Sequence, residues 1–297
     1  MTSYLKRRAL IVSVLFLAAC GGTGPGDGVT KPQRKKILKV TEKYFDLKDT
    51  SLAVVQHIQR TYNDSGRVRT ELFLDASFTM FGSKGYAYNR FGTVKSSTYT
   101  EPTYQERYTA TFDAKDSIAS SVLEIESNHV LTRKVVTRFE NGMAMEKTEY
   151  NGEGKMNWQD RYTWSNNYKS LVKKGYDAAG EVDFISYYAF NEKGEEKSYY
   201  SLSSAGDTLA KAEHVYDASG RLKEYAEYKS GRLVKMEKYE YDSHGRLAKR
   251  TSFDESGGPL SVFDYAYNEY GDLILKTRKD RSGRVVFRIE YEIEYAK

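Results

Sequence analysis

The chain has 297 residues, 29% of them charged, and a single cysteine, which excludes an internal disulfide and a cysteine-based zinc site. The formal net charge is +5, but Lys6, Arg7 and Arg8 lie in the first 19 residues, which carry no Asp or Glu. Without that segment, 43 basic side chains remain against 41 acidic ones, and a net charge of +2 is too small to indicate a nucleic-acid partner.

The N-terminus has the pattern of a secretory signal peptide. Three basic residues precede the apolar run ALIVSVLFLA at 9–18, which is too short to span a bilayer, since a spanning helix needs ~20 residues. The run ends in Leu17-Ala18-Ala19-Cys20, which resembles the lipobox of bacterial lipoproteins. The resemblance implies that residues 1–19 are removed and that the Cys20 thiol carries a lipid, which makes the membrane a partner of the protein.

The segment that follows predicts a flexible tether. Residues 20–35 are rich in Gly and contain two Pro, a composition that favours an extended, unstructured chain. Position 21 is Gly, whereas Asp directly after the lipidated cysteine retains some bacterial lipoproteins in the inner membrane. We therefore expect a lipid-anchored protein of the bacterial cell envelope, located at the outer membrane.

Residues 36–297 show an internal repeat of 25 or 26 residues. One series of turn glycines is Gly154, Gly180, Gly206, Gly231, Gly257 and Gly283, and a second is Gly194, Gly220, Gly245 and Gly271. The turns therefore recur every 12 or 14 residues, an interval that a strand of about 7 to 9 residues and a short turn fill well. Together with 26 Tyr and only four Pro, this spacing predicts an all-β domain.

The stretch YEYDSHGRLAK at 239–249 shows the chemistry of these turns. The Asp242 side chain can accept hydrogen bonds from the backbone ahead of it, and Gly245 can adopt a positive φ. Both features are typical of a type I turn closed by a bulge. The pattern predicts a surface pair of Asp242 with Arg246 and a buried pair of Tyr241 with Leu247.

The sequences of these turns resemble the YD repeats of RHS-type proteins. The resemblance rests on YNDSGRV (62–68), YDASGRL (216–222), YDSHGRL (241–247) and YNEYGDL (267–273). It implies one extended antiparallel sheet of about ten hairpins, twisted or spiralling into a partial shell, with carbohydrate binding as an associated function.

Aromatic residues recur eight and ten positions after successive glycines, so they share one face of the predicted sheet. Two interpretations are open: the rings fill the concave interior of the sheet, or they form a stacking platform for a glycan. On the second interpretation the candidate ligand-binding residues are Tyr162, Trp164, Tyr188, Phe190, Tyr239, Tyr241, Tyr265 and Tyr267.

The sequence offers little for catalysis. The four histidines lack the spacing of metal ligands, and the Ser-Gly pairs belong to hairpin turns rather than to a nucleophile motif. Among the 41 acidic residues, no two stand out as a catalytic pair. We expect no catalytic residue, no metal and no cofactor, and a role in binding a glycan or envelope protein or as a scaffold. The alternative is a polysaccharide-active enzyme with carboxylates on the concave face. A lipid-facing barrel is disfavoured because both faces of 221–228 carry charge.

Overall fold

A computed structural model describes residues 35–48, 51–165 and 167–296, and the domain is all-β. The expected signal peptide, Cys20 and the tether up to residue 34 lie outside the described residues. No helix that could span a membrane occurs in the described ranges. The strands are β1 (Ile37–Lys48), β2 (Ser51–Tyr62), β3 (Val68–Asp75), β4 (Met80–Tyr88), β5 (Val94–Glu101), β6 (Tyr104–Phe112), β7 (Ile118–Ser127), β8 (Val130–Glu140), β9 (Met143–Asn151), β10 (Met156–Trp164), β11 (Ser170–Tyr176), β12 (Val182–Phe190), β13 (Glu196–Ser203), β14 (Thr208–Tyr216), β15 (Leu222–Lys229), β16 (Arg232–Tyr241), β17 (Leu247–Phe253), β18 (Pro259–Tyr267), β19 (Leu273–Lys279) and β20 (Val285–Tyr295).

These strands form one sheet that closes on itself. Each strand pairs antiparallel with the strand before it and the strand after it in the chain, and β1 pairs with β20. In that last pairing Val40 lies opposite Ile293, and Tyr44 lies opposite Ile289. The expected all-β antiparallel sheet of hairpin repeats is confirmed, and its closure leaves no unpaired edge for another chain to extend.

The turns have the predicted geometry. At the turn between β16 and β17, the Gly245 amide donates to the Asp242 carbonyl over 2.9 Å, and Gly245 has a φ of 77°. The Asp242 side chain accepts hydrogen bonds from the backbone amides of His244 and Arg246. Arg246 also makes an ion pair of 2.7 Å with Asp242, and the pairing register shifts at Tyr241 as a bulge requires.

The shorter, 25-residue steps in the repeat also have a local explanation. Lys229 pairs with Arg232, so only Ser230 and Gly231 connect β15 to β16. Both have positive φ values, of 47° and 76°, as a two-residue type I′ turn requires. This turn is shorter than the Asp-x-x-Gly turns such as that at 242–245, and the repeat contracts there.

The two faces of the sheet differ in burial. Along β14, Ala212 is fully buried and His214 is half-buried, whereas Lys211, Glu213 and Val215 are exposed. The more buried face must point into the closed sheet, and its best-buried apolar residues are Val40, Ile58, Phe73, Tyr99, Ile125, Val135, Leu171, Ala212 and Ile289.

The inward-facing side chains are only partly enclosed. In the described part of the chain no large side chain is fully enclosed. A closed sheet of 20 strands is wide enough to hold a lumen, since side chains alone fill only much smaller barrels. The lumen is therefore the space in which a ligand could be held.

Candidate functional site

The eight predicted aromatic residues lie on one face, and that face points into the lumen. They occupy the last positions of alternate strands, β10, β12, β16 and β18, and therefore lie near one end of the barrel. All eight are half-buried. We distinguish a rim column, directly before the turns, from an inner column two residues earlier. The rim column comprises Trp164, Phe190, Tyr241 and Tyr267, and the inner column comprises Tyr162, Tyr188, Tyr239 and Tyr265.

The polar groups of the rim column donate hydrogen bonds to backbone carbonyls within the protein. The Tyr241 hydroxyl donates to the Leu222 carbonyl over 2.8 Å, and the Tyr267 hydroxyl donates to the Leu247 carbonyl over 2.9 Å. Trp164 follows the same rule, with its indole N–H 3.1 Å from the Ala144 carbonyl. The same hydrogen bond is made by two tyrosines at equivalent positions outside the eight, Tyr88 and Tyr216.

Arginines from the preceding turns cover these rings. The Arg221 guanidinium lies 4.7 Å from the Tyr241 ring centroid, and that of Arg246 lies 4.6 Å from the Tyr267 ring centroid. Arg221 is itself held by Asp217 at 2.7 Å. A ring that is covered by a guanidinium and tied down by its hydroxyl has little free face to offer a ligand. The contacts of Tyr241 and Tyr267 are those of structural residues.

Two of the four hydroxyls in the inner column have a carboxylate beside them. The Tyr239 hydroxyl donates to Glu237 over 2.7 Å, and the Tyr162 hydroxyl lies 3.3 Å from Asp160. Burial raises the pKa of the Tyr265 hydroxyl above its ordinary value. Tyr265 has no hydrogen bond from its hydroxyl to another described residue, so its polar tip is available in the lumen.

A second polar group lies around Arg60 on the lumen face. Arg60 contacts both Glu42 and Glu71, and its Nε lies 2.6 Å from the Glu71 carboxylate. The hydroxyls of Tyr44 and Tyr86 donate to Glu42 and Glu71, each over 2.5 Å. Two carboxylates are thus tied to one guanidinium and two hydroxyls, an arrangement that satisfies them within the protein.

Glu237 is the most buried of the lumen carboxylates, with 4% of its surface exposed. Burial raises its pKa, but the hydrogen bond from Tyr239 and the charges of Arg250 and Lys235 outweigh burial, so the pKa of Glu237 is lowered overall. A general acid for glycoside cleavage needs a raised pKa. Glu237 is therefore suited to binding and charge pairing rather than to proton donation.

The Glu42–Arg60–Glu71 group is not among the site residues that the sequence pattern predicts. A signal for it existed, because Glu42 precedes Tyr44 by two residues, as Glu237 precedes Tyr239, and residues two apart share a face of a strand. What joins Arg60 to two carboxylates is the pairing of β2 with both β1 and β3. No group of three or more potential metal ligands occurs in the ranges that the structure covers.

Comparison with known proteins found no matching family model and no matching curated protein. Among solved structures, a porin-like protein from Bacteroides uniformis aligns with 88% of this chain and 98% of its own, at 11% identity and a TM-score of 0.38. A porin-like protein from Bacteroides vulgatus aligns with 88% of this chain and 99% of its own, at 10% identity and a TM-score of 0.30. The TcdB2-TccC3-Cdc42 complex aligns with 82% of this chain at 10% identity and a TM-score of 0.29, over 18% of its own chain. Likenesses at TM-scores below 0.5 establish neither a family nor a function.

Proposed function

We propose that this protein is a lipid-anchored YD-repeat protein of the bacterial envelope, held at the outer membrane by Cys20, and that its barrel binds a glycan in the lumen without catalysing a reaction. The observation that carries the proposal is the inner column, whose half-buried rings lie on the inward face of the barrel, with carboxylates beside Tyr162 and Tyr239. Glycans bind to such surfaces because their apolar ring faces stack on aromatic side chains while their hydroxyls hydrogen-bond to polar groups nearby.

The distribution of charge on the outside of the barrel supports an aqueous setting for the wall. Ion pairs lie on the outward face, including Lys249 with Glu240 at 3.1 Å and Lys279 with Asp264 at 2.7 Å. Charged groups on an outward face would be costly in contact with lipid tails. Attachment through a lipid on Cys20 therefore fits this barrel better than insertion of its wall.

The state of the carboxylates supports binding over the enzymatic alternative. Glu42 and Glu71 share Arg60, and Glu237 has a lowered pKa beside Arg250 and Lys235. An enzyme that cleaves glycosidic bonds needs one carboxyl group that stays protonated until it donates its proton. Glu42, Glu71 and Glu237 are instead paired with cations, which suits the recognition of hydroxyl groups.

The decisive experiment compares two tyrosines that are two residues apart on β18. We expect Tyr265→Ala to weaken binding on a glycan array by about 1 to 3 kcal/mol, because it removes a stacking surface, while the melting temperature changes little. The matched control Tyr267→Ala should lower the melting temperature, because it removes the hydrogen bond to Leu247. A protein that binds no glycan, or whose glycan affinity is unchanged by Tyr265→Ala, would contradict the proposal.

A further inference from the structure

Three cations gather on the lumen-facing side of β17 and β19. Arg250 lies opposite Phe263 of β18, and Phe263 lies opposite Arg278 of β19. Lys276, two residues before Arg278, lies opposite Tyr265. The three positive groups therefore lie on one face of the sheet, around the aromatic pair Phe263 and Tyr265. The strands that carry them, β17 and β19, are two strand spacings apart, which is ~10 Å. We call Arg250, Lys276 and Arg278 the lumen cation cluster.

The cluster has fewer carboxylate partners than cations. Glu237 lies 3.5 Å from Arg250, but it also pairs with Lys235 at 3.2 Å. Neither Lys276 nor Arg278 makes an ion pair with any residue that the structure describes. Burial and then the charge of Arg250 lower the pKa of Lys276, and the charge of Glu42 offsets only part of this effect. Lys276 is half-buried, whereas Arg278 is exposed, so the free-energy cost of an unpaired cation falls on Lys276, where an anion would offset it.

The outward face of the same strand shows the contrast. Lys279 follows Arg278 directly, points to the outside, and makes an ion pair of 2.7 Å with Asp264. The imbalance of charge is therefore a property of the lumen face of this segment and not of the strand as a whole. Lys279 also provides a matched control, because its substitution removes one cation from β19 without changing the lumen.

The cations are held in place by the aromatic rings. The Arg250 guanidinium lies 4.2 Å from the Phe263 ring centroid, and the Lys276 ammonium lies 5.2 Å from Phe263 and 5.7 Å from Tyr265. Cation–π contacts fix the side chains before a ligand arrives, which lowers the entropic cost of binding. The planar guanidinium of Arg250 suits the planar carboxylate of a ligand, because two of its N–H groups can bond both carboxylate oxygens at once.

We infer that the lumen cation cluster binds the anionic groups, carboxylate or sulfate, of an acidic glycan whose ring stacks on Tyr265. The inference rests on the proposed glycan-binding function and adds the chemical class of the glycan. A neutral glycan would leave Lys276 and Arg278 without counter-charges, whereas a uronate or a sulfated sugar supplies them beside the stacking ring.

Inorganic sulfate tests the anion site without any glycan. Lysines of the full-length protein in detergent are reductively methylated with ¹³C, and the Lys276 signal is assigned with Lys276→Arg. Sodium sulfate, added at ionic strength held constant with sodium chloride, should shift the Lys276 signal with a saturable dependence and leave the Lys279 signal in place. Absence of a saturable shift at Lys276 would overturn the inference and leave the glycan proposal standing.

A glycan array that pairs uronate and sulfated glycans with their neutral counterparts tests the class of ligand. We expect the acidic member of each bound pair to bind at least tenfold more tightly. The double variant Lys276→Met with Arg278→Met should lose this preference, and Lys279→Met should keep it. Equal binding of acidic and neutral members would overturn the inference alone, whereas no binding to any glycan would overturn the proposed function together with it.

Discussion

The Tyr241 hydroxyl donates a hydrogen bond of 2.8 Å to the backbone carbonyl of Leu222, the first residue of the neighbouring strand β15. At this end of the barrel the last paired residues of β15 and β16 are Glu224 and Lys238. The Leu222 carbonyl therefore lies beyond the paired part of these two strands. The hydroxyl thus satisfies a carbonyl at the strand end that the ladder leaves unpaired. The recurrence of this contact at Tyr267 and Leu247 makes it a repeated brace at one end of the barrel.

The brace predicts that removal of the Tyr241 hydroxyl oxygen alone lowers the stability of the protein. Tyr241→Phe should lower the free energy of unfolding by about 1 kcal/mol, because it removes one hydrogen bond and leaves a carbonyl unsatisfied. Tyr265→Phe is the matched control, since its hydroxyl makes no hydrogen bond to another described residue. Chemical denaturation of both variants measures the difference, and equal stabilities would show that the brace contributes nothing.

The turn glycine at 245 is predicted to resist substitution for two reasons. Its φ of 77° is unfavourable for a side chain, and an added Cβ would lie 3.3 Å from the Arg221 guanidinium that covers Tyr241. Gly245→Val should therefore cost roughly 1 to 2 kcal/mol. Gly85→Val is the control, because a Cβ at Gly85 meets no atom within 4 Å and its φ is ordinary.

The damage from Gly245→Val should be local, since repeats are held mainly by their neighbours. Hydrogen exchange should show faster exchange in β16, β17 and the strands beside them, with protection kept on the far side of the barrel. A uniform loss of protection over all strands would show instead that the closed sheet unfolds as one unit.

The turn aspartates predict a loss of stability in acid. The backbone hydrogen bond from Arg221, and then that from its side chain, hold the pKa of Asp217 below the ordinary 3.8. A carboxyl whose pKa is lower in the folded state stabilises the protein above its unfolded pKa, and this stabilisation is lost as the pH falls through the folded pKa. We expect the urea midpoint to fall as the pH decreases below 3.8.

Asp217→Asn should reduce this acid dependence while preserving the turn. An Asn already occupies the equivalent position at 63, 191 and 268, where its side chain accepts the same backbone hydrogen bonds. Urea titrations of the variant and the parent between neutral pH and pH 2 measure the difference. An identical pH profile would show that Asp217 does not contribute to acid unfolding.

The proposed lipid anchor depends on the thiol group of Cys20, which is the only cysteine in the chain. Cys20→Ser should abolish labelling by a radioactive fatty acid and leave the precursor uncleaved, because the lipid has no other thiol to join. The unaltered protein, labelled in parallel, is the control. Labelling that survives the substitution would contradict the lipoprotein assignment.

The strands and turns could be predicted from the sequence because they depend on interactions between residues that are close together in the chain. An Asp or Asn followed three residues later by Gly specifies its own turn, as at Asp242 and Gly245, because the hydrogen bonds and the positive φ involve only neighbouring residues. The two-residue alternation placed Tyr239, Tyr241 and their counterparts on one face for the same reason. These features need no knowledge of the rest of the chain.

Closure and the roles of individual rings depended on contacts that the alternation does not specify. Whether β1 meets β20 depends on twist and register summed over the whole sheet, so no single repeat contains that information. Tyrosines occur in both the rim and the inner column, and they differ in role because a carbonyl such as that of Leu222 lies within reach of Tyr241. Likewise, the gathering of Arg250, Lys276 and Arg278 arises from the register of three strands, since residues far apart in the chain become neighbours only when those strands pair.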